Sequence, residues 1–389
     1  MLKKLKAILK QNKFVKNIYE NIINKKLINI YKTNYSKNCL LSYSTLPFRQ
    51  KHKFLLHPNF TENYVLADAV RKLGYNIDVY NNSYSGKINY SKYDLLIGEG
   101  IPMSNFYING KNEKTKVVYY ATGVHPLVQN YRSMKSILKF AQKTGVYLPN
   151  SGRLVSERWA VCPSLADAVM ILGNETTKKS FDVINKKIKK YTLHPPFYAN
   201  NVINDFSKKS KKDFLWFGSF GLVHKDLNTV LDVFLNNPDL SLHVCGRISE
   251  EKDFMELYDD KLKLTKNIVV HGYLNINSEE FKELMERCAF TILSSCSEGC
   301  STALATVMGN GGLIPIISKE CGFSIKNGFY VESANYDDIE RKVREAVEIS
   351  DMKILNYTRE NIDYVNKEFS LEKYKKNVNM ILSAIMKGL

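Results

Sequence analysis

No stretch of this chain approaches the ~18 consecutive apolar residues that a membrane-spanning helix needs. The N-terminus carries lysines but no uninterrupted apolar core and no cleavage site, which argues against a secretory signal. No CxxC pair occurs among the seven cysteines (Cys39, Cys162, Cys245, Cys288, Cys296, Cys300, Cys321). Cys296 and Cys300 have no His or Cys partner at metal spacing, so the expectation is reduced thiols in a cytosol and no zinc site. Acid pairs suited to a metal are also missing from useful places: Asp259-Asp260 falls inside a helical stretch and Asp337-Asp338 at a helix start. There is no short-period repeat.

Negative charge is scarce. Thirty-nine acids face 56 lysines and arginines, for a net charge of +17. About half of that excess sits in residues 1–32, where nine lysines accompany one acid, Glu20. Leu2, Leu5, Ile8, Leu9, Val15, Ile18, Tyr19, Ile22 and Ile23 recur there at helical spacing. This predicts one or two basic amphipathic helices over residues 2–31. They suit an anionic membrane surface, and the competing reading is a solvated helix packed on the body of the protein. Together these features place the protein in the cytoplasm, peripheral on the inner face of the membrane. Nucleic acid is not an expected partner, because the lysines lie on one helical segment rather than among stacking aromatics.

What is present is a regular alternation. At 389 residues the chain is too long for one ordinary core, so two domains are expected. FLLHP from residue 54, 76–80, 93–100, 116–123 and 166–173 read as strands, with helices at 62–72 and 128–144 between them. A lysine-rich helix over 176–190 leads to the prolines of LHPPF and a polar linker reaching Lys212. The alternation restarts with strands at 214–218, 240–246, 267–273 and 290–295, and helices at 227–237 and 278–288. Closing helices are expected at 337–349 and 370–387. The fold class is α/β, with two Rossmann-like open parallel-sheet domains facing a cleft. The divisions are an extension over 1–52, a first domain over 53–200, a second over 201–350, and closing helices over 351–389.

In such folds ligands meet the carboxyl ends of the strands. The most informative strand end is LSSCSEGCSTALATVMGNGGLIPII, from Leu293 to Ile317. It reads strand, loop, helix, glycine turn, strand. Glu298 is followed by Gly299, Cys300, Ser301 and Thr302, at a helix start that would aim backbone N–H groups at a ligand. That suits a diphosphate with a carboxylate beside it for a hydroxylated ligand. After FLWFG, the loop SFGLVHK offers Ser219, Gly221, His224 and Lys225 to a phosphate. Arg247 and Tyr273 end the next two strands, where a loop can cover a nucleobase. In the first half, Glu99 and His125 end strands and are candidates for proton transfer. Asn59, Thr61 and Asn63, read as a loop, and Asn174 with Glu175, are further cleft candidates.

These features resemble the C-terminal domain of group 1, family 4-like glycosyltransferases of the GT-B fold. The likeness covers about 205–389 well and 53–200 more loosely. Glu298 matches the first acid of that family's Glu-x7-Glu motif, while the position of the second acid holds Thr306. Gly218 and Lys225 match its phosphate loop, and Ser219 stands where an arginine is usual. His125 falls where such enzymes present a histidine to the donor sugar or acceptor. HGY (271–273) and KEFSLEKYKKNV (367–378) resemble its base-binding turn and closing helix. The resemblance implies metal-independent glycosyl transfer from a nucleotide diphosphate sugar, with no cofactor. The acceptor would be a growing surface glycan, such as lipopolysaccharide, capsule or a related polysaccharide, or a lipid-linked glycan. The alternatives are a nucleotide-sugar epimerase of the same fold and a non-catalytic sugar-binding partner in polysaccharide assembly.

Overall fold

A computed structural model describes residues 26–49, 58–197 and 202–388. Two six-stranded sheets make up the molecule. The first contains β1 (Lys37–Tyr43), β2 (Tyr75–Asn81), β3 (Leu95–Gly98), β4 (Lys116–Ala121), β5 (Ala168–Leu172) and β6 (Lys189–Leu193). The second contains β7 (Ser210–Phe217), β8 (Ser241–Cys245), β9 (Ile268–Gly272), β10 (Cys288–Leu293), β11 (Ile314–Ser318) and β12 (Phe329–Val331). Their orders are β2-β1-β3-β4-β5-β6 and β12-β11-β10-β7-β8-β9, and the named strands pair in parallel. This is the expected α/β architecture. Strands such as AVMIL and CAFTIL are buried throughout because helices cover both sheet faces. Strand order reverses direction between β7 and β10 in the second domain, so the loops after those two strands diverge around a crevice.

The six helices that matter here are α1 (Pro58–Lys72), α2 (Pro126–Thr144), α3 (Leu227–Leu235), α4 (Thr302–Gly311), α5 (Asp351–Glu368) and α6 (Leu371–Lys387). Helix α2 belongs to the first domain, yet its Ile137 and Phe140 join the hydrophobic core of the second. Helix α6 runs the other way: Tyr374, Val378, Ile381, Leu382 and Ile385 enter the core of the first domain. The closing helix is thus shared structure rather than an appendage. Among the described residues no helix is long and apolar enough to cross a membrane.

Several expectations change. The basic segment over 1–25 and the strand expected from residue 54 lie outside the described residues, apart from Pro58, which opens α1. The end of the expected N-terminal helix is visible and is not helical. Leu27 exchanges backbone hydrogen bonds with Val79 (2.8 Å each way), and the Ile30 N–H reaches Ile77 O (3.0 Å), so residues 27–30 line the edge of β2. The first strand, KNCLLSY, falls inside the stretch assigned to the extension; it pairs between β2 and β3, and its last five residues are buried. Residues 58–63 open α1 rather than forming a loop. The expected helix over 176–190 stops at Lys179, a short turn of helix follows, and KKYTL pairs with β5 as β6. The lysines had suggested a helical face, but Tyr191, Thr192 and Leu193 favour the pleated edge.

Candidate active site

The loop after β7 and the loop after β10 meet through an ion pair between the Lys225 ammonium and Glu298 Oε1. Lys225 is 4% exposed. Arg153 Nη1, from the first domain, stands 3.5 Å from Glu298 Oε2, and Ser295 Oγ donates to Oε1 at 3.2 Å. Burial alone would raise the Glu298 pKa. Lys225, Arg153 and His224 outweigh that and hold the carboxyl at about 2. Glu298 is therefore a fixed anion and hydrogen-bond acceptor at neutral pH, and no donor of protons.

Backbone strain helps to aim Lys225. The next residue, Asp226, has a positive φ of 57°, uncommon for a residue with a side chain. Its buried carboxylate accepts hydrogen bonds from Thr229 Oγ1 (2.5 Å) and Ser294 Oγ (2.7 Å), tying the start of α3 to the end of β10. His224 is buried and anchored by Ser297 O (2.7 Å) and by the Cys296 thiol (3.3 Å); burial lowers its pKa to about 4.

One expectation about this loop fails. Gly221 was assigned to phosphate, but Glu251 occupies its amide: the Gly221 N–H donates to Oε1, the Leu222 N–H to Oε2 (3.1 Å), and Ser151 Oγ to Oε2 (2.6 Å). A buried carboxylate from the same chain fills the cradle.

The Glu298–Thr302 loop abuts the first domain. A Cβ on Gly299 would lie 2.5 Å from Thr122 O and 2.8 Å from the Gly123 Cα, so only glycine allows this approach. Thr177 Oγ1 donates to Gly299 O (2.6 Å), and Ser297 Oγ to Gln129 Oε1 (2.8 Å). Ser301 is the N-cap position of α4, its N–H bonded to Cys321 O (3.1 Å), and Thr302 is the first helical residue. Cys300 packs against the core, and burial pushes its thiol up. The Thr306 hydroxyl donates to Thr302 O within α4 (2.8 Å), so that proton is already committed.

Across the cleft, Glu99 is 6% exposed and accepts from Asn82 Nδ2 (3.0 Å) and Thr122 Oγ1 (2.8 Å). Burial raises its pKa against those hydrogen bonds. Glu99, Thr122, Arg153, Phe220, Glu298 and Gly299 together line a cavity of about 370 Å³ between the domains.

His125 does not share it. Its Nδ1 accepts from the Leu127 N–H (3.3 Å) as the N-cap of α2, and its Nε2 faces Ser164 Oγ (3.4 Å). It is 1% exposed, and burial lowers its pKa to about 4. The structure gives this ring a capping position in place of the expected proton-transfer one. Asn63 is buried too, its Oδ1 accepting from the Ser44 N–H (3.2 Å), while Thr61 lines a separate groove and not the interdomain cavity. Asn174 caps the helix over 175–179 and reaches Ser324 Oγ of the second domain (3.2 Å); Glu175 is an exposed partner of Lys178.

Residues 201–364 match the family model for glycosyl transferases group 1. The second domain is a group 1 glycosyltransferase domain. A search of curated proteins returned no match by sequence. Among solved structures, sucrose-phosphate synthase from Thermosynechococcus elongatus aligns with a TM-score of 0.63 at 10% identity, over 91% of this chain and 100% of that one. HepE of Anabaena, in complex with UDP-glucose, aligns with a TM-score of 0.58 at 13% identity, over 90% and 99%. TarM of S. aureus, in a complex containing UDP, aligns with a TM-score of 0.50 at 14% identity; this chain covers 55% of that one, and 73% of this chain is covered. These likenesses establish the shared two-domain GT-B architecture.

In the group 1 domain the remaining sequence-derived candidates stand at the rim. The Arg247 guanidinium lies 4.8 Å from the centre of the Tyr273 ring, and that ring is 67% exposed. Together they make a flat, cationic platform at the ends of β8 and β9. Gly218 follows β7 with its N–H on Cys245 O (3.0 Å), and Ser219 is exposed beside it. Sequence reasoning missed Arg153, Glu251, Gln129 and Phe220. Arg153 sits in a short Ser-Gly-Arg turn with no motif, and Glu251 in a charged run that looks like plain surface. Among the described residues no three His, Cys, Asp or Glu side chains stand together as a metal site.

Proposed function

We propose that the protein transfers a sugar from a nucleoside diphosphate sugar to a growing surface glycan or its lipid-linked precursor, without a metal. The observation that carries this reading is Glu298: an ionised carboxylate in the interdomain cleft, in the loop three residues before the Ser301 cap of α4, paired with cations from both domains. Such a group accepts hydrogen bonds from sugar hydroxyls. The N-terminal turn of α4 and the neighbouring cations stabilise the departing diphosphate. The Arg247–Tyr273 platform receives the base. Glu99, opposite Glu298 and with its pKa raised, is placed to take the proton of an acceptor hydroxyl. The UDP-glucose in the HepE complex supports a uridine donor. The lysines of residues 1–32 support work at an anionic membrane surface.

The test is a thermal-shift screen of nucleoside diphosphates and their sugars, followed by transfer assays with glycan and glycolipid acceptors on whichever binds. Stabilisation by at least one donor, and transfer abolished in E298Q, is the expected result. No stabilisation by any nucleoside diphosphate would overturn the reading.

A further inference from the structure

The cleft brings together two cations that differ in origin and exposure. Lys225 belongs to the second domain, lies behind Glu298 and is 4% exposed. Arg153 belongs to the first domain, keeps 31% of its side chain exposed and lines the cavity. Its position is set from both sides. The Arg153 N–H donates to Ser133 Oγ (2.9 Å), and its carbonyl accepts from Gln129 Nε2 (2.9 Å), so α2 holds the backbone. Its stem lies on the loop after β7, where a Cβ on Gly221 would come within 2.5 Å of Arg153 Cγ. The guanidinium stacks on the exposed Phe220 ring, 5.0 Å from its centre. Among the described residues its one polar side-chain contact is the 3.5 Å approach to Glu298. A planar fork that can bind two oxygens is thus held by a single long contact.

A diphosphate entering this cavity meets Arg153 as the accessible cation. We propose that Arg153 grips the donor diphosphate from the first domain, exchanging its long contact with Glu298 for phosphate oxygens. Glu298 keeps Lys225 as its counter-ion and turns its second oxygen to the sugar. Because Arg153 and α4 sit on different domains, the diphosphate then fastens the two domains together. This rests on the donor-binding reading above.

The experiment is calorimetric titration of the full chain with UDP, uridine and inorganic pyrophosphate, for wild type, R153Q and R153K. Arg153→Gln is expected to weaken UDP and pyrophosphate by about tenfold or more, the usual scale of a lost charge-assisted hydrogen bond, and to leave uridine unchanged. Arg153→Lys keeps the charge without the fork and should recover only part of the loss. It also serves as the test variant should R153Q fail to fold. Small-angle scattering should show that UDP compacts the wild type and not R153Q. A merely structural arginine would instead lower the melting temperature and weaken uridine in proportion. Either that pattern, or R153Q binding UDP and pyrophosphate as the wild type does, overturns the proposal while the donor-binding reading stands. A wild type that binds neither UDP nor pyrophosphate, nor any other nucleoside diphosphate, overturns both.

Discussion

Glu298→Gln isolates the charge on which the site is built. The carboxyl is held at about 2 against an ordinary value of 4.5. At about 1.4 kcal/mol for each tenfold in acidity, this corresponds to roughly 3 kcal/mol of stability at neutral pH. Glutamine keeps the size and one carbonyl acceptor but leaves the Lys225 ammonium buried without a counter-ion, a change that typically costs about 3–5 kcal/mol. For a domain of this size the melting temperature should fall by about 6–20 °C. The pH dependence carries a second signature. A carboxyl whose folded pKa is depressed contributes stability above its unfolded value of 4.5, and that stability is lost as pH falls from 4.5 toward 2. The wild type should lose roughly 3 kcal/mol in that window, and E298Q should lack that component. The assay is urea denaturation across pH for wild type, E298Q, K225M and the double variant. Removing both partners should cost less than the sum of the single changes. If E298Q is as stable as the wild type, or if the two changes add, the buried pair does not exist as described.

Three further outcomes follow from the same geometry. Glu62 is buried, with Tyr43 (2.8 Å) and Tyr120 (3.1 Å) donating to it, and burial raises its pKa to about 7. A raised carboxyl contributes stability below 4.5 that is lost as pH climbs through 7, so E62Q should reduce the decline in wild-type melting temperature over that range by the equivalent of roughly 3 kcal/mol. Gly299→Ala places a methyl against Thr122 O and Gly123 and should open the cleft, seen as a larger radius in small-angle scattering and a loss of donor binding. His125→Asn should retain stability and activity because asparagine is a good N-cap, whereas H125A should cost about 1 kcal/mol; loss of activity in a stable H125N would instead restore a chemical role to this ring.

How much of this was legible in the sequence depends on whether a feature is local. The helix expected over 278–288 forms, and the serine that opens it, Ser278, caps it by accepting from the Phe281 N–H (3.2 Å). The runs FTIL and AVMIL were legible as strands, because short, almost wholly apolar runs suit strands buried on both faces, although β10 starts at Cys288, two residues before the expected 290. KNCLLSY was hidden by its basic surroundings, and KKYTL by a lysine pattern that suits a helix as well as an edge. At the site, Glu298, Lys225 and Glu99 were legible because each lies in the segment that follows a strand. Arg153 was not: its contact with Glu298 spans 145 positions and two domains. Glu251 was equally hidden, since nothing in SEEKD announces that one of its acids turns inward to fill the Gly221 amide cradle.

The most direct test of the central claim compares how wild type and E298Q bind a sugar donor and its parent nucleoside diphosphate, by calorimetry at neutral pH. The account predicts that wild type binds one donor more tightly than the bare diphosphate, and that E298Q loses this increment. A donor increment undiminished in E298Q, or no binding of any donor by the wild type, would contradict it.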